Sequence, residues 1–159
     1  MPRNAPFSPY RRAGAWFIVL AVATYLTSLL LPAVESEQGW VSSGSELLLG
    51  AFQGIFEATK PRERAWCAAA TGANLLFAGA FFGGMVWFGR RACQAAAAVC
   101  LFAALTARLI PVLYHPQRWA VPGLLVGYWL WIASMLLAAI GFWMLAMWFR
   151  QGPMPEQDS

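Results

Sequence analysis

Charge is scarce in this chain. Aspartate, glutamate, lysine and arginine together make up 11% of its 159 residues, where an ordinary soluble domain has about 25%. Hydrophobic residues reach 60% and the mean hydropathy is +0.55, so the solvent the chain is built for is a membrane. Histidine occurs once, as His115, which excludes a His-ligated haem pair and a histidine zinc site. Cys67, Cys93 and Cys100 form no CxxC and no metal-ligand spacing. Cys67 opens one apolar run and Cys93 the next, near opposite membrane faces, too far apart for a disulfide that bridges at most about 7 Å between α-carbons. No apolar run contains a carboxylate, and no nucleophile stands with a base, so no catalytic set, metal or cofactor is expected. The net charge of +4 and pI near 9.3 come from short arginine groups at the ends of apolar runs, not from a basic stripe, which excludes nucleic acid as a partner.

What is present is a series of long apolar runs. Residues Met1 to Arg12 form a proline-containing arm with Arg3, Arg11 and Arg12 and no acid. Spans are expected over 13–31, 65–88, 92–113 and 123–149, each near the roughly 20 helical residues that a hydrocarbon core requires. The first exceeds a signal-peptide core of about 7 to 15 residues and reads as uncleaved. A polar tail over 150–159 closes the chain. The fold class expected is all-α, a polytopic bundle of four transmembrane helices with an additional amphipathic helix in the first outer loop.

That loop, 32–64, holds five of the seven carboxylates. Glu35 to Gly44 reads as a polar loop, and Ser45 as the cap of a helix from Glu46 to Ala58. Glu46, Gly50, Gln53, Gly54 and Glu57 fall on one polar or small stripe, with leucine, isoleucine and phenylalanine around the rest. Such a helix is too short to span; it lies at the interface, as a lid on the bundle or as a docking surface. Lys60 to Arg64 reads as a break before the second span. Gly72, Gly79 and Gly83, with Ala80 and Gly84, give that span small-residue spacing, and Cys93, Ala97, Cys100, Ala104 and Ala107 give the third a smooth face to meet it.

Arginines set the orientation. Arg3, Arg11, Arg12, Arg90, Arg91 and Arg150 gather on one side, while Lys60, Arg62, Arg64 and Arg118 share the other with glutamates, so both termini are expected in the cytoplasm. Trp40, Trp66, Trp119 and Trp129 then mark the outer interface, and Trp16, Trp87 and Trp148 the inner one. An offset of 79 aligns Arg11-Arg12-Ala13 with Arg90-Arg91-Ala92 and Pro32 with Pro111; an offset of 61 aligns Leu75-Leu76 with Leu136-Leu137 and Trp87-Phe88 with Trp148-Phe149. The spans therefore read as two parallel-repeat hairpins, the first carrying the outer helix as an insertion.

Within the outer third of the spans lie Thr27, Ser28, Thr71, Asn74, Thr106 and Arg108. They form one candidate layer. Asn74 reads as interhelical glue or as a ligand-binding amide. Arg108 either snorkels to headgroups or turns inward, where it needs Glu46 or Glu57 as an acceptor. Leu31-Pro32-Ala33, Leu47-Leu48-Leu49-Gly50 and Ala65-Trp66 give the chain a pattern that resembles small uncharacterised four-span membrane proteins of bacteria. That resemblance implies a bacterial cytoplasmic (inner) membrane and no particular activity. The function expected is a non-enzymatic accessory or scaffold subunit that meets a membrane partner at its outer face. A small homo-oligomeric transporter or channel is the alternative, and a lipid-modifying enzyme using His115 and Arg108 a third.

Overall fold

In the computed structural model, residues 9–35, 41–57, 59, 61–114 and 124–151 are described. Five helices and one small hairpin account for most of them: α1 (Pro9–Leu30), β1 (Pro32–Glu35), β2 (Val41–Ser43), α2 (Gly44–Glu57), α3 (Pro61–Val86), α4 (Arg90–Tyr114) and α5 (Val126–Gln151). Within these helices, Pro9–Leu30, Cys67–Val86 and Val126–Arg150 are long and apolar enough to cross a membrane. α4 is 25 residues long, but it is built largely of alanine and bounded by arginines, which makes it less apolar than the other three.

The interior is rich in alanine and cysteine around a few large side chains such as Phe142 and Met135, while many large residues face outward. Ala21, Ala70, Ala73, Ala97, Cys100, Ala104 and Ala138 are buried, while Trp16, Val86 and Trp87 are more than two-thirds exposed, at 72%, 72% and 76%. That inversion of soluble-protein burial suits lipid, where helices associate through close backbone approach and not through the exclusion of water. The most extensive packing joins α1 to α5, where a Cβ added to Gly14 would come within 2.9 Å of Leu145 and 3.0 Å of the Gly141 carbonyl. α4 packs between α5 and α3, and α2 lies across α3. α1 reaches α3 through Tyr25, whose ring stands 5.3 Å from that of Phe77.

Several boundaries differ from the sequence expectation. Pro9 suits a first helical turn because its missing N–H is not required there, so α1 begins inside the expected arm. Pro61 plays the same part in α3, and the expected break at Arg62 to Arg64 is its first turn. The expected polar loop contains an antiparallel hairpin pairing Pro32 with Ser43 and Glu35 with Val41. The cap of α2 is Ser43 and not Ser45: the Ser43 hydroxyl accepts from the Glu46 N–H at 3.3 Å, and the Ser43 N–H donates to the Glu46 carboxylate at 2.8 Å. This reciprocal pair is a capping box.

The smooth face of α4 is buried as expected, and of the small residues expected to meet it on α3, Ala80 and Gly84 turn to the core while Gly72 and Gly79 do not. Ala70, Ala73, Phe77 and Ala80 face inward, whereas a Cβ at Gly72 or Gly79 would meet nothing within 4 Å. The reason is the helix period: these glycines fall about half a turn away from the buried alanines. Of the α3 glycines, Gly84 lies against the core, facing Phe142 and Ala96.

One end of the bundle is tightly tied. The Ala33 carbonyl accepts from Leu125 N–H at 2.9 Å and the Leu31 carbonyl from Gly44 N–H at 3.2 Å. Gly127 sits where a Cβ would fall 2.7 Å from the Pro32 carbonyl oxygen. The end of α1, the hairpin and the starts of α2 and α5 thus meet within one knot. At the opposite end the start of α1 lies beside the end of α5, with the Arg11 guanidinium 5.1 Å from the Trp148 ring and Phe88 5.1 Å from Phe149.

Candidate functional site

The polar groups expected as one layer divide by what each hydroxyl or amide is bonded to. Thr27 donates to the Ala23 carbonyl at 2.8 Å, Ser28 to Tyr25 at 2.7 Å and Thr106 to Phe102 at 2.9 Å. All three close onto their own helices, the usual fate of such side chains in an apolar setting. None of them points its hydroxyl at a neighbouring helix.

Asn74 joins three helices. Its Nδ2 donates to the Ala70 carbonyl at 3.0 Å, and its Oδ1 accepts from the Tyr25 hydroxyl and from the Trp131 indole N–H, each at 3.1 Å. An amide oxygen has two lone pairs, and both are taken. The side chain therefore fastens α1 and α5 to α3, the glue reading of this residue. One turn before it, Thr71 is 6% exposed, and its hydroxyl has no hydrogen-bond partner.

A second cross-link begins with a proline. Pro111 has no N–H to give the carbonyl four residues earlier, that of Ala107. Tyr128, on α5, donates its hydroxyl to that oxygen at 2.7 Å. A lipid-embedded helix must have every carbonyl satisfied within the protein, and the tyrosine supplies what the proline removes. Ser134, fully buried, closes on the Trp131 carbonyl at 2.6 Å.

Arg108 does not meet Glu46 or Glu57. Its guanidinium lies 5.6 Å from the centre of the Trp129 ring, on the exposed side of α4. Glu46 is occupied by its capping box, where the Ser43 backbone N–H, and after it the Ser43 hydroxyl, hold the carboxyl below the usual carboxylate range. Glu57 stands exposed at the end of α2, which packs on α3. The expected pairing fails because α2 settles away from the seam between α4 and α5.

α2 itself has three faces. Ala51 is buried at 1%, and Gly54 approaches Cys67 so closely that an added Cβ would collide with its sulfur. Gly54 therefore belongs to the docked face and not to the expected polar stripe. Leu49, Phe52 and Phe56 are exposed, with the two phenylalanine rings 5.8 Å apart edge to face. Glu46, Gly50, Gln53 and Glu57 form the third face.

Chemically, the Asn74 centre offers hydrogen-bond donors and acceptors, with the Tyr25 hydroxyl its one ionisable group. Among the described residues no group of His, Cys, Asp and Glu is placed to hold a metal, and Cys67, Cys93 and Cys100 are buried and form no disulfide with one another. His115, Arg118 and Trp119, like Trp40, lie outside the described residues. Sequence reasoning missed Tyr25, Trp131 and Tyr128. For Tyr128 a signal exists, since Pro111 within an apolar helix announces a carbonyl at Ala107 that some donor must reach. No protein-family model, no curated protein and no solved structure matches the chain.

Proposed function

We propose that this chain is a non-enzymatic, four-span component of a bacterial cytoplasmic membrane, an accessory or scaffold subunit that presents α2 and the hairpin to a membrane-protein partner at the outer face. Its fourth crossing is α4. From Arg90 to Arg108 that helix rises about 27 Å at about 1.5 Å per residue, close to the roughly 30 Å of a hydrocarbon core. Trp129 and Trp148 on α5 are about 28 Å apart by the same measure, and each lies under an arginine, Arg108 and Arg11. Two levels of paired tryptophan and arginine suit the two boundaries of one bilayer. The excess of arginines at the Arg11 end supports a cytoplasmic location for that end.

The duplication belongs to the same reading. α1 packs on α5 as α3 packs on α4, in keeping with a two-fold axis along the membrane normal, but the two hairpins are not packed alike, since α4 lies closely on α5 while α1 meets α3 through Tyr25.

The observation that carries the proposal is the three-faced α2. A lid that served only to cover the bundle would need one apolar face. This helix has a docked face through Ala51 and Gly54 and a separate aromatic face through Leu49, Phe52 and Phe56. A photoreactive amino acid at Phe52 or Phe56, irradiated in intact cells, is expected to capture one heteromeric membrane protein, while the same group at Leu75 is not. Capture of lipid alone refutes the reading, and capture of a second copy of this chain supports the oligomeric transporter or channel in its place.

A further inference from the structure

The seam between α4 and α5 carries a feature that the partner reading does not use. Arg108 is exposed, and its guanidinium lies over the ring of Trp129, itself 47% exposed, at 5.6 Å from the ring centre. A cation–π contact at that distance holds the guanidinium near the indole while leaving its N–H groups unspent. Among the described residues no carboxylate pairs with it, since Glu46 is bound to Ser43 and Glu57 lies on the helix that packs against α3. A cation at the edge of the hydrocarbon, planar, held and without an acid, is half of an ion pair.

We infer that Arg108 and Trp129 form a seat for the phosphate of an anionic phospholipid at the membrane boundary. The level fits, because Arg108 lies about one hydrocarbon thickness from Arg90 along α4. The chemistry fits as well. A guanidinium offers a fork of parallel N–H donors that matches two phosphate oxygens, and such charge-assisted pairs are roughly twice as strong as neutral hydrogen bonds. The surroundings select the source: the seat opens on the outside of two helices whose neighbouring exposed residues are apolar, Leu101, Leu105 and Val126 among them. An acyl chain can lie along that surface, and a free phosphate gains nothing from it. The neighbouring Tyr128 adds rigidity, since its hydroxyl is tied to the Ala107 carbonyl and its ring stands 5.5 Å from that of Trp129. The inference rests on the four-span placement of α4 but not on the existence of a protein partner.

The test uses the purified full chain in detergent, titrated with phosphatidylglycerol and followed by native mass spectrometry. Arg108→Gln and Trp129→Leu are each expected to weaken the first bound lipid by about tenfold, the loss that follows from one charge-assisted interaction. Arg108→Lys, which keeps the charge but not the planar fork, should fall between them and the wild type. Inorganic phosphate in large excess should leave the lipid bound. Wild-type retention of phosphatidylglycerol by Arg108→Gln overturns the seat, and displacement of the lipid by inorganic phosphate overturns the lipid as its occupant. Should Arg108→Gln fail to insert, the surface substitution Trp129→Leu carries the same comparison. The purified chain contains no partner, so failure of the photocapture experiment and failure of lipid retention are independent results.

Discussion

Replacing Tyr128 by phenylalanine removes one oxygen and leaves the ring in place. The oxygen lost is the donor to Ala107, whose residue is fully buried and whose own helix cannot supply an N–H because position 111 is proline. Leaving a buried carbonyl unsatisfied costs about 1 to 3 kcal/mol in water-soluble proteins. Interhelical hydrogen bonds within membranes average about 0.6 kcal/mol and reach about 1.7. Because no helical donor competes for this oxygen, the upper part of the membrane range applies, and Tyr128→Phe should cost about 1 to 1.5 kcal/mol. Pro111→Ala restores the missing N–H. In that background the same substitution should cost less than about 0.5 kcal/mol, which gives a coupling near 1 kcal/mol in a double-mutant cycle. Reversible unfolding in mixed micelles, titrated with dodecyl sulfate and read by far-ultraviolet circular dichroism, measures all four corners. Equal losses from Tyr128→Phe in both backgrounds would refute the proposed exchange of donors.

Three further outcomes follow from the same contacts. Gly54→Ala should destabilise the docking of α2 by about 1 to 3 kcal/mol, as overpacking does, and Cys67→Ala, which removes the obstructing sulfur, should restore it; protection of α2 amides from hydrogen exchange reports both. Asn74→Leu strands the Tyr25 hydroxyl and the Trp131 indole N–H and should lower stability by about 1 to 2 kcal/mol in the same micelle titration, whereas Thr71→Val, at a hydroxyl without a partner, should be neutral or stabilising. The Glu46 carboxyl is held below its ordinary value of 4.5, so its support of the α2 cap is fully present above that value and is lost as pH falls through the depressed one. Exchange of the first α2 amides should therefore quicken only in acid, relative to the intrinsic rate, and Glu46→Gln should abolish that dependence.

How far the sequence reaches can be argued from particular elements. Long apolar runs announce α1, α3 and α5 because a helix that must satisfy its own backbone in lipid has no other sequence requirement. For the same reason those runs conceal their faces. α3 is apolar nearly all round, so the wheel offers no way to tell the inward Ala80 and Gly84 from the outward Gly72 and Gly79, and small size alone selects both. The α2 helix was legible from its periodicity, yet its cap was not, because serines at 43 and 45 both precede an apolar run and only Ser43 stands three residues before a glutamate. The β1–β2 hairpin is four residues against three and contains a proline and a bulge, below the length at which alternation can be read. At the candidate site, Asn74 was visible as an intramembrane amide, but its partners come from helices 49 and 57 residues away in sequence. Arg108 was visible as a lone charge, and its choice of Trp129 over a glutamate depended on which helix lay beside α4.

The packing also bears on motion. Alternating access in a protein of two like hairpins requires one hairpin to rock against the other, and here the hairpins would be α1 with α3 and α4 with α5. Close contacts run between those units as well as within the second: Gly14 of α1 lies against Gly141 of α5, and Gly84 of α3 against Ala96 of α4 and Phe142 of α5. Asn74 adds a hydrogen bond from α3 to Trp131 of α5 across the same division. A rocking motion would break these contacts together, while α1 and α3, held to each other by Tyr25 with Asn74 and Phe77, would form a weak body to move as one. A bundle locked across its supposed hinge favours a fixed support for α2 over a moving carrier. Disulfide trapping separates the two: Gly14→Cys with Leu145→Cys, which removes the leucine branch that a Cβ at position 14 would meet, in a background with Cys67, Cys93 and Cys100 removed, should cross-link and leave binding at the outer face unchanged. Loss of function on cross-linking, restored by a reductant, would show that the α1–α5 seam must open and would refute the static reading.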